Sequence, residues 1–89
     1  MENFRRLNKD EKNFLKTISS SKEKEFGMPA MDYEKLKKKF GTRKADRISQ
    51  TFFESGLMFE KTPHRLVLLT DKDNPNILVY KKKKLGEMT

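Results

Sequence analysis

Four polar side chains between residues 42 and 54 have the types and the spacing needed to read the edges of DNA bases. Residues three and four apart share one face of a helix, and the polar side chains at those positions are Arg43, Arg47, Gln50 and Glu54. In a major groove, guanidinium groups donate to guanine and side-chain amides pair with adenine. The alternative is a solvated helix face without a ligand, and these residues alone give the two interpretations about equal weight.

The elements that must position these side chains are predicted to be two helices joined by a glycine. The apolar positions of the first helix are Tyr33, Leu36 and Phe40, and those of the second are Ala45, Ile48 and Phe52. Asp32 is expected to cap the first helix with its carboxylate. Gly41 can take the positive-φ position that ends this helix, and Thr42 can cap the next one, which Gly56 ends. Two helices, a glycine turn and polar side chains on the second helix are typical of a helix-turn-helix.

The composition is that of a small basic protein. The 89 residues carry a formal net charge of +8, which suits a polyanionic partner. The sequence has no cysteine, which excludes disulfides and cysteine-containing zinc sites. It has neither a signal peptide nor an apolar run near the ~20 residues of a membrane helix. We therefore expect a cytoplasmic protein, associated with the nucleoid in a prokaryote, and no membrane partner.

The first 30 residues are predicted to form a helix and a connector. Residues 1–20 follow the helical period, with Phe4 and Leu7 on the apolar face, and Asn8 with Glu11 forms a capping box that favours a start near residue 8. Residues 22–30 are expected to connect this helix to the next, with a strand of one or two residues at Phe26 or Met28.

The period changes to that of strands after Gly56. Strands are predicted at residues 57–61, 65–70 and 77–80, separated by a turn at 62–64 and a loop at 71–76. The simplest arrangement is an antiparallel meander beside the helices. We expect one domain over residues 1–84, with a basic C-terminal end, and a frayed tail at 85–89.

The order of helix, helix-turn-helix and β hairpin resembles the winged-helix superfamily. Residues 55–58 (SGLM) and 65–71 (RLVLLTD) are most similar to winged-helix transcriptional regulators. The resemblance implies an α+β winged helix-turn-helix, with three helices followed by a small antiparallel β hairpin or meander. It also implies that the second long helix enters the major groove and that the hairpin contacts the backbone or the minor groove. Either the turn at 62–64 or the loop at 71–76 can be the wing.

The expected DNA contacts lie on the second helix, on the hairpin and at the basic C-terminal end. Arg43 and Arg47 are the first candidates for base contacts and Gln50 the next, whereas Lys44 suits a phosphate. The full set of predicted nucleic-acid-binding residues is Thr42, Arg43, Lys44, Arg47, Gln50, Thr51, His64, Arg65, Lys72, Lys81, Lys82, Lys83 and Lys84.

Patterns for other chemistry are weak in this sequence. His64 is the single histidine and lies beside a proline, so it does not by itself form a catalytic pair. Residues 71–76 begin like a calcium loop, but Asn76 stands where the loop needs glycine and Lys82 where it needs glutamate. We therefore expect no enzymatic activity, no metal, no cofactor and no small-molecule ligand.

The main hypothesis is a transcriptional regulator that binds double-stranded DNA. One alternative is an architectural or replication-accessory protein that binds DNA without sequence preference. Another is a winged-helix module for protein–protein interaction, which Asp46 and Glu54 favour because carboxylates repel phosphates. Homodimer and monomer have equal weight, with Phe53, the Phe4 region or the strand at 77–80 as candidate contacts.

Overall fold

The computed structural model describes residues 3–61, 63–70 and 77–80. Its elements, in chain order, are β1 (Phe4–Arg6), α1 (Lys9–Ser19), β2 (Lys24–Glu25), β3 (Met28–Asp32), α2 (Tyr33–Phe40), α3 (Thr42–Glu54), β4 (Met58–Lys61), β5 (Arg65–Leu68) and β6 (Leu78–Tyr80). The described residues therefore form an α+β fold with three helices and antiparallel sheets, which agrees with the predicted class.

The core lies between the helices and one face of the larger sheet. Phe14 of α1 packs against Phe40 of α2, with ring centroids 5.2 Å apart, and edge-on against Phe52 of α3 at 5.6 Å. Leu66 and Leu68 of β5 join this core from the sheet. The apolar face that the helical period predicts for α3 is the face that becomes buried.

Strand order in the larger sheet is β2-β3-β5-β4. In its register, Ala30 pairs with Val67 and Val67 with Phe59, so these three side chains share the face that points away from the helices. The predicted hairpin of β4 and β5 is confirmed. The predicted meander is wrong for β6, because β6 pairs with β1 in a separate two-stranded sheet.

The start of α1 follows the capping box. The Glu11 amide donates to Asn8 Oδ1 at 2.8 Å, and the Asn8 amide donates to Glu11 Oε1 at 2.9 Å. Asn8 has extended backbone angles, which end the helix on its N-terminal side. Phe4 therefore belongs to a strand and not to the helix, although its spacing from Leu7 also fits a helical period.

The predicted connector at 22–30 contains a hairpin of β2 and β3. Its turn residues Phe26 and Gly27 have φ of 55° and 81°, which are the left-handed values of a two-residue hairpin turn. The strand β3 has five residues, more than the one or two expected. Pro29 obscures the strand in the sequence, because proline lacks the N–H that a central strand uses.

Two predicted caps differ from the structure. Asp32 is the N-cap of α2 but makes no capping bond, because its carboxylate accepts from Arg65 Nη1 at 2.7 Å. The Tyr33 amide instead donates to the His64 carbonyl at 2.9 Å, which ties α2 to the β4–β5 hairpin. Thr42 is the first residue of α3 and not its cap; Gly41 serves as the cap at both helix ends, with φ 89° and ψ 153°.

Candidate nucleic-acid interface

The outward face of α3 carries the polar side chains that its spacing predicts. Arg43, Arg47, Gln50 and Glu54 are all exposed. Ala45, Ile48 and Phe52, on the opposite side of the helix, are at most 2% exposed. The buried side fixes the rotation of α3 about its axis, so the polar face is held toward solvent.

The two arginines of this face form no ion pair with a described residue. Arg47 nevertheless lies near Glu11 at the start of α1. Burial raises the pKa of Glu11, but hydrogen bonds from Arg5 and the Asn8 amide, with the charges of Arg5 and Arg47, bring that pKa below its ordinary value. Arg5 is the main partner, with Nη1 and Nη2 at 2.6 and 2.7 Å from the two Glu11 oxygens. The guanidinium of Arg47 thus remains open to a ligand.

Three other predicted residues of α3, namely Lys44, Gln50 and Thr51, have partners within the protein. Lys44 is half-buried and its Nζ lies 3.4 Å from Asp10 Oδ2 on α1. The Thr51 hydroxyl donates to the Arg47 carbonyl at 3.0 Å, a bond within the helix. Gln50 Nε2 donates to Glu54 Oε2 at 3.5 Å, which is a long and exposed bond. Thr42 is exposed in the first turn of α3.

The β4–β5 hairpin lies beside α3. His64 is at its tip with a φ of 53°, and Gln50 of α3 lines the same cleft as His64. The His64 side chain is 72% exposed, and its Nδ1 lies 3.3 Å from Glu60 Oε2. Pro63 and His64 therefore lie in the turn of a paired hairpin. The other predicted wing, the loop at 71–76, lies outside the described residues.

The Arg65 side chain is paired within the protein. Its Nη1 donates to Glu23 Oε1 at 2.9 Å and to Asp32 Oδ1 at 2.7 Å. Its Nε lies 3.0 Å from Glu25 Oε2 without the alignment of a hydrogen bond. The hydrogen bonds that Arg65 donates to Glu23 and Asp32 raise its pKa further above the ordinary value. Because three carboxylates already surround this guanidinium, Arg65 is less open to a phosphate than Arg43 and Arg47 are.

Sequence reasoning missed a cleft beside α3. Its volume is about 250 Å³, and its lining residues are Tyr33, Asp46, Ser49, Gln50, Phe53, Glu60, His64 and Leu66. A signal was present, because residues 46, 49, 50 and 53 recur at helical spacing. That stripe combines acidic, polar and aromatic side chains, so it fits neither the buried face nor the basic face.

Five of the predicted contacts lie outside the described residues: Lys72, Lys81, Lys82, Lys83 and Lys84. Within residues 3–61, 63–70 and 77–80, no helix is long and apolar enough to cross a membrane.

Comparisons with protein-family models, with curated proteins and with solved structures find no match for this chain. Arguments about its function therefore rest on its own sequence and geometry.

Proposed function

We propose that this protein is a winged helix-turn-helix DNA-binding protein that regulates transcription. The observation that carries the proposal is the outward face of α3, where Arg43, Arg47 and Gln50 are exposed on the second helix of a glycine-linked pair. A helix fits the major groove, and these side chains match the donors and acceptors that guanine and adenine present there.

The sheet supports the winged-helix assignment. The strand β3, which precedes α2 and α3, pairs with β5. In turn, β5 pairs with β4 in the hairpin that follows the two helices. This arrangement places the tip of the hairpin beside α3, where Gln50 and His64 line one cleft. With α3 in a major groove, the tip of the β4–β5 hairpin at His64 is the wing that reaches the neighbouring backbone.

The proposed mechanism is occupancy of a DNA site without covalent chemistry. Arg47 donates two N–H groups to guanine, and Gln50 pairs with adenine. Lys44 and Thr42, near the start of α3, contact phosphate, with help from the helix dipole. Release of counterions from the phosphates supplies much of the affinity, so binding weakens as salt rises.

The test is fluorescence anisotropy with random-sequence duplex DNA at several salt concentrations. We expect submicromolar affinity at low salt and a log–log slope that corresponds to several phosphate contacts. Selection from the same pool should then yield a preferred site, whereas equal affinity for all sequences would indicate an architectural protein. Absence of binding at about 50 mM salt would contradict both forms of the proposal.

A second candidate function is that of a module for protein–protein interaction. It is favoured by the outer face of the larger sheet, which is the face that points away from the helices. Phe26 is 71% exposed at the β2–β3 turn. Its ring centroid lies 6.2 Å from that of Phe59, and Lys61 Nζ lies 5.8 Å from the Phe26 ring. Exposed aromatic groups of this kind are common in protein interfaces. Absence of DNA binding would make protein–protein interaction the preferred function.

A further inference from the structure

The β2–β3 hairpin does not continue the plane of the larger sheet. Its strands are in the order β2-β3-β5-β4, so Glu25 and Lys61 lie on the two outermost strands. Glu25 lies opposite Met28, whereas Lys61 lies in line with Asp32, four residues further along β3. At ~4.8 Å per strand and ~3.3 Å per residue, a flat sheet would separate the Cα atoms of Glu25 and Lys61 by about 20 Å. Lys61 Nζ nevertheless lies 3.0 Å from Glu25 Oε1, so the hairpin bends over the sheet.

The tip of the hairpin lies on the outer face of the sheet. The ring centroid of Phe26, in the turn, is 6.2 Å from that of Phe59 on β4, and Lys61 Nζ is 5.8 Å from the Phe26 ring. Ala30 and Val67 share this face with Phe59 and lie outside the core between the helices and the sheet, yet both are 0% exposed. The bent hairpin accounts for the burial of these two side chains.

Four ion pairs hold the hairpin in this position, and we call them the latch. Glu25 is shared by Lys61 and by Arg65, whose Nε lies 3.0 Å from Glu25 Oε2. Glu23, just before β2, lies 2.9 Å from Arg65 Nη1 and 3.1 Å from Lys35 Nζ. The side chains of Glu23 and Lys61 are 41% and 42% exposed, so water and salt weaken these pairs. The latch therefore contributes little stability for the number of its charges.

The hairpin is also separate from the main core. Residues 22–29 are all described, and none of them belongs to the hydrophobic core between the helices and the sheet. Phe26 has a φ of 55°, a left-handed value that is strained for a bulky side chain. Segments with few buried apolar contacts open at a lower free energy than the core does. The hairpin has the features of such a segment.

We propose that residues 22–29 form a strap that opens and closes as one unit over the outer face of the larger sheet. In the closed state the latch holds the strap, and Phe26 lies against Phe59. Opening breaks the latch and uncovers Val67 and Phe59, while the three helices and the pairing of β3, β5 and β4 persist. The strap thus controls the exposure of apolar surface on the sheet. This inference does not depend on the proposed DNA binding, so it is tested without DNA.

The protein has no cysteine, so a single introduced thiol can report the opening. The experiment measures the rate at which iodoacetamide, a small neutral reagent, labels Val67→Cys in the full chain as urea is raised below the unfolding transition. The matched control is Ala45→Cys, at a position on α3 that is also 0% exposed but belongs to the main core. We expect Val67→Cys to react at least about tenfold faster than Ala45→Cys, with a weaker dependence on urea.

Equal labelling rates with equal dependence on urea would show that the hairpin opens only when the whole protein unfolds, which would overturn the proposal. Circular dichroism establishes that both variants are folded, and urea unfolding gives the stability of each. The labelling rates are compared after correction for any difference in that stability.

Hydrogen exchange of the unsubstituted protein, followed by two-dimensional NMR, gives a second test. The Ala30 amide donates to the Glu23 carbonyl at 3.0 Å, so it loses this bond when the strap opens. Its protection from exchange should be at least about tenfold lower than that of the Ile48 amide in α3, and it should depend less on urea. Equal protection of the two amides would contradict a separate opening of the strap.

Glu25→Gln tests the latch. In the Val67→Cys background it should raise the labelling rate about threefold or more, because it removes a charge that two cations share. Glu34→Gln is the control, since the ion pair of Glu34 is exposed and lies within α2; it should leave the rate within about 1.5-fold. An unchanged rate in Glu25→Gln would contradict the role of these ion pairs in holding the strap.

Discussion

The outward face of α3 and the outer face of the sheet both carry arginine, but they use it differently. Arg43 and Arg47 on α3 are exposed and form no ion pair with a described residue. Arg65 on the sheet is 17% exposed and lies within 3.0 Å of carboxylate oxygens from three residues. Arginine side chains are thus open to a ligand on α3, whereas the arginine on the sheet is held in ion pairs within the protein.

The carboxylates make this difference. Around Arg65, Lys35 of α2 pairs with Glu23 at 3.1 Å and Lys61 of β4 pairs with Glu25 at 3.0 Å, so these neighbouring cations are neutralised as well. On the outward face of α3, Glu54 contacts Gln50 and leaves the arginines unpaired. A net charge of +8 therefore does not indicate where a polyanion binds, because the position of the carboxylates decides it.

The largest expected change in stability concerns a third arginine, Arg5, which pairs with the buried Glu11. Glu11→Gln should lower the free energy of unfolding by about 2–3 kcal/mol, because it removes a buried charge partner of Arg5 and weakens the capping box. Urea unfolding measures this change. Glu54→Gln, at an exposed position on α3, should stay within about 0.5 kcal/mol of the wild type. A similar loss in both variants would mean that the Arg5–Glu11 pair has no special role.

Arg47→Ala should weaken DNA binding by the outward face of α3 without affecting folding, because Arg47 is exposed. If Arg47 reads a base, DNA affinity should fall by about 1–3 kcal/mol, and discrimination at one base position should relax. Binding to the selected site and to variants of that site measures both quantities. Equal losses on specific and random DNA would indicate a phosphate contact instead.

Gly41→Ala tests the turn between α2 and α3, which orients the outward face of α3. At φ 89° and ψ 153°, Gly41 occupies a region that side chains disfavour, although a Cβ there would meet no described atom within 4 Å. The cost should therefore be backbone strain of about 1–2 kcal/mol, measured by urea unfolding. A neutral result would show that the turn can relax.

Lowering the pH should have the smallest effect on stability. It should act through the carboxylates that form ion pairs within the protein. The pKa of Glu23 is lowered by Lys35 and Arg65, that of Glu25 by Lys61 and Arg65, and that of Glu11 by Arg5 against the effect of burial. A carboxyl with a lowered pKa in the folded state binds fewer protons there than when unfolded. Its stabilisation is present above the unfolded pKa of about 4.3 and is lost as the pH falls through the folded value.

Urea unfolding from pH 7 to pH 3 tests this expectation. Stability should change little down to about pH 5 and then fall, and Glu11→Gln should reduce the fall. Stability that rises below about pH 4 would contradict the signs of these shifts.

Local patterns of the sequence predicted much of this structure. The capping box of Asn8 and Glu11 and the polar face of α3 depend on residues three or four apart, so a short window contains them. The β5 residues 65–68 also fit a strand pattern. These features follow from side-chain spacing and from the hydrogen-bonding capacity of single residues.

Contacts between distant residues could not be predicted in this way. Arg5 pairs with Val79 across the β1–β6 sheet, and Arg65 meets Glu23 across 42 residues of sequence. Neither partner leaves a local signal, because each depends on how the whole chain folds. The capping role of Asp32 failed for the same reason, since Arg65 takes the carboxylate that would otherwise cap α2.

We expect DNA affinity to depend on the outward face of α3 rather than on net charge. The most direct test compares two double variants that each remove two positive charges: Arg43→Ala with Arg47→Ala, and Lys35→Ala with Lys61→Ala. Anisotropy with duplex DNA at fixed salt should show at least about a tenfold loss of affinity for the first pair and no more than about twofold for the second. Equal losses in the two pairs would contradict the claim and would leave non-specific attraction as the basis of binding.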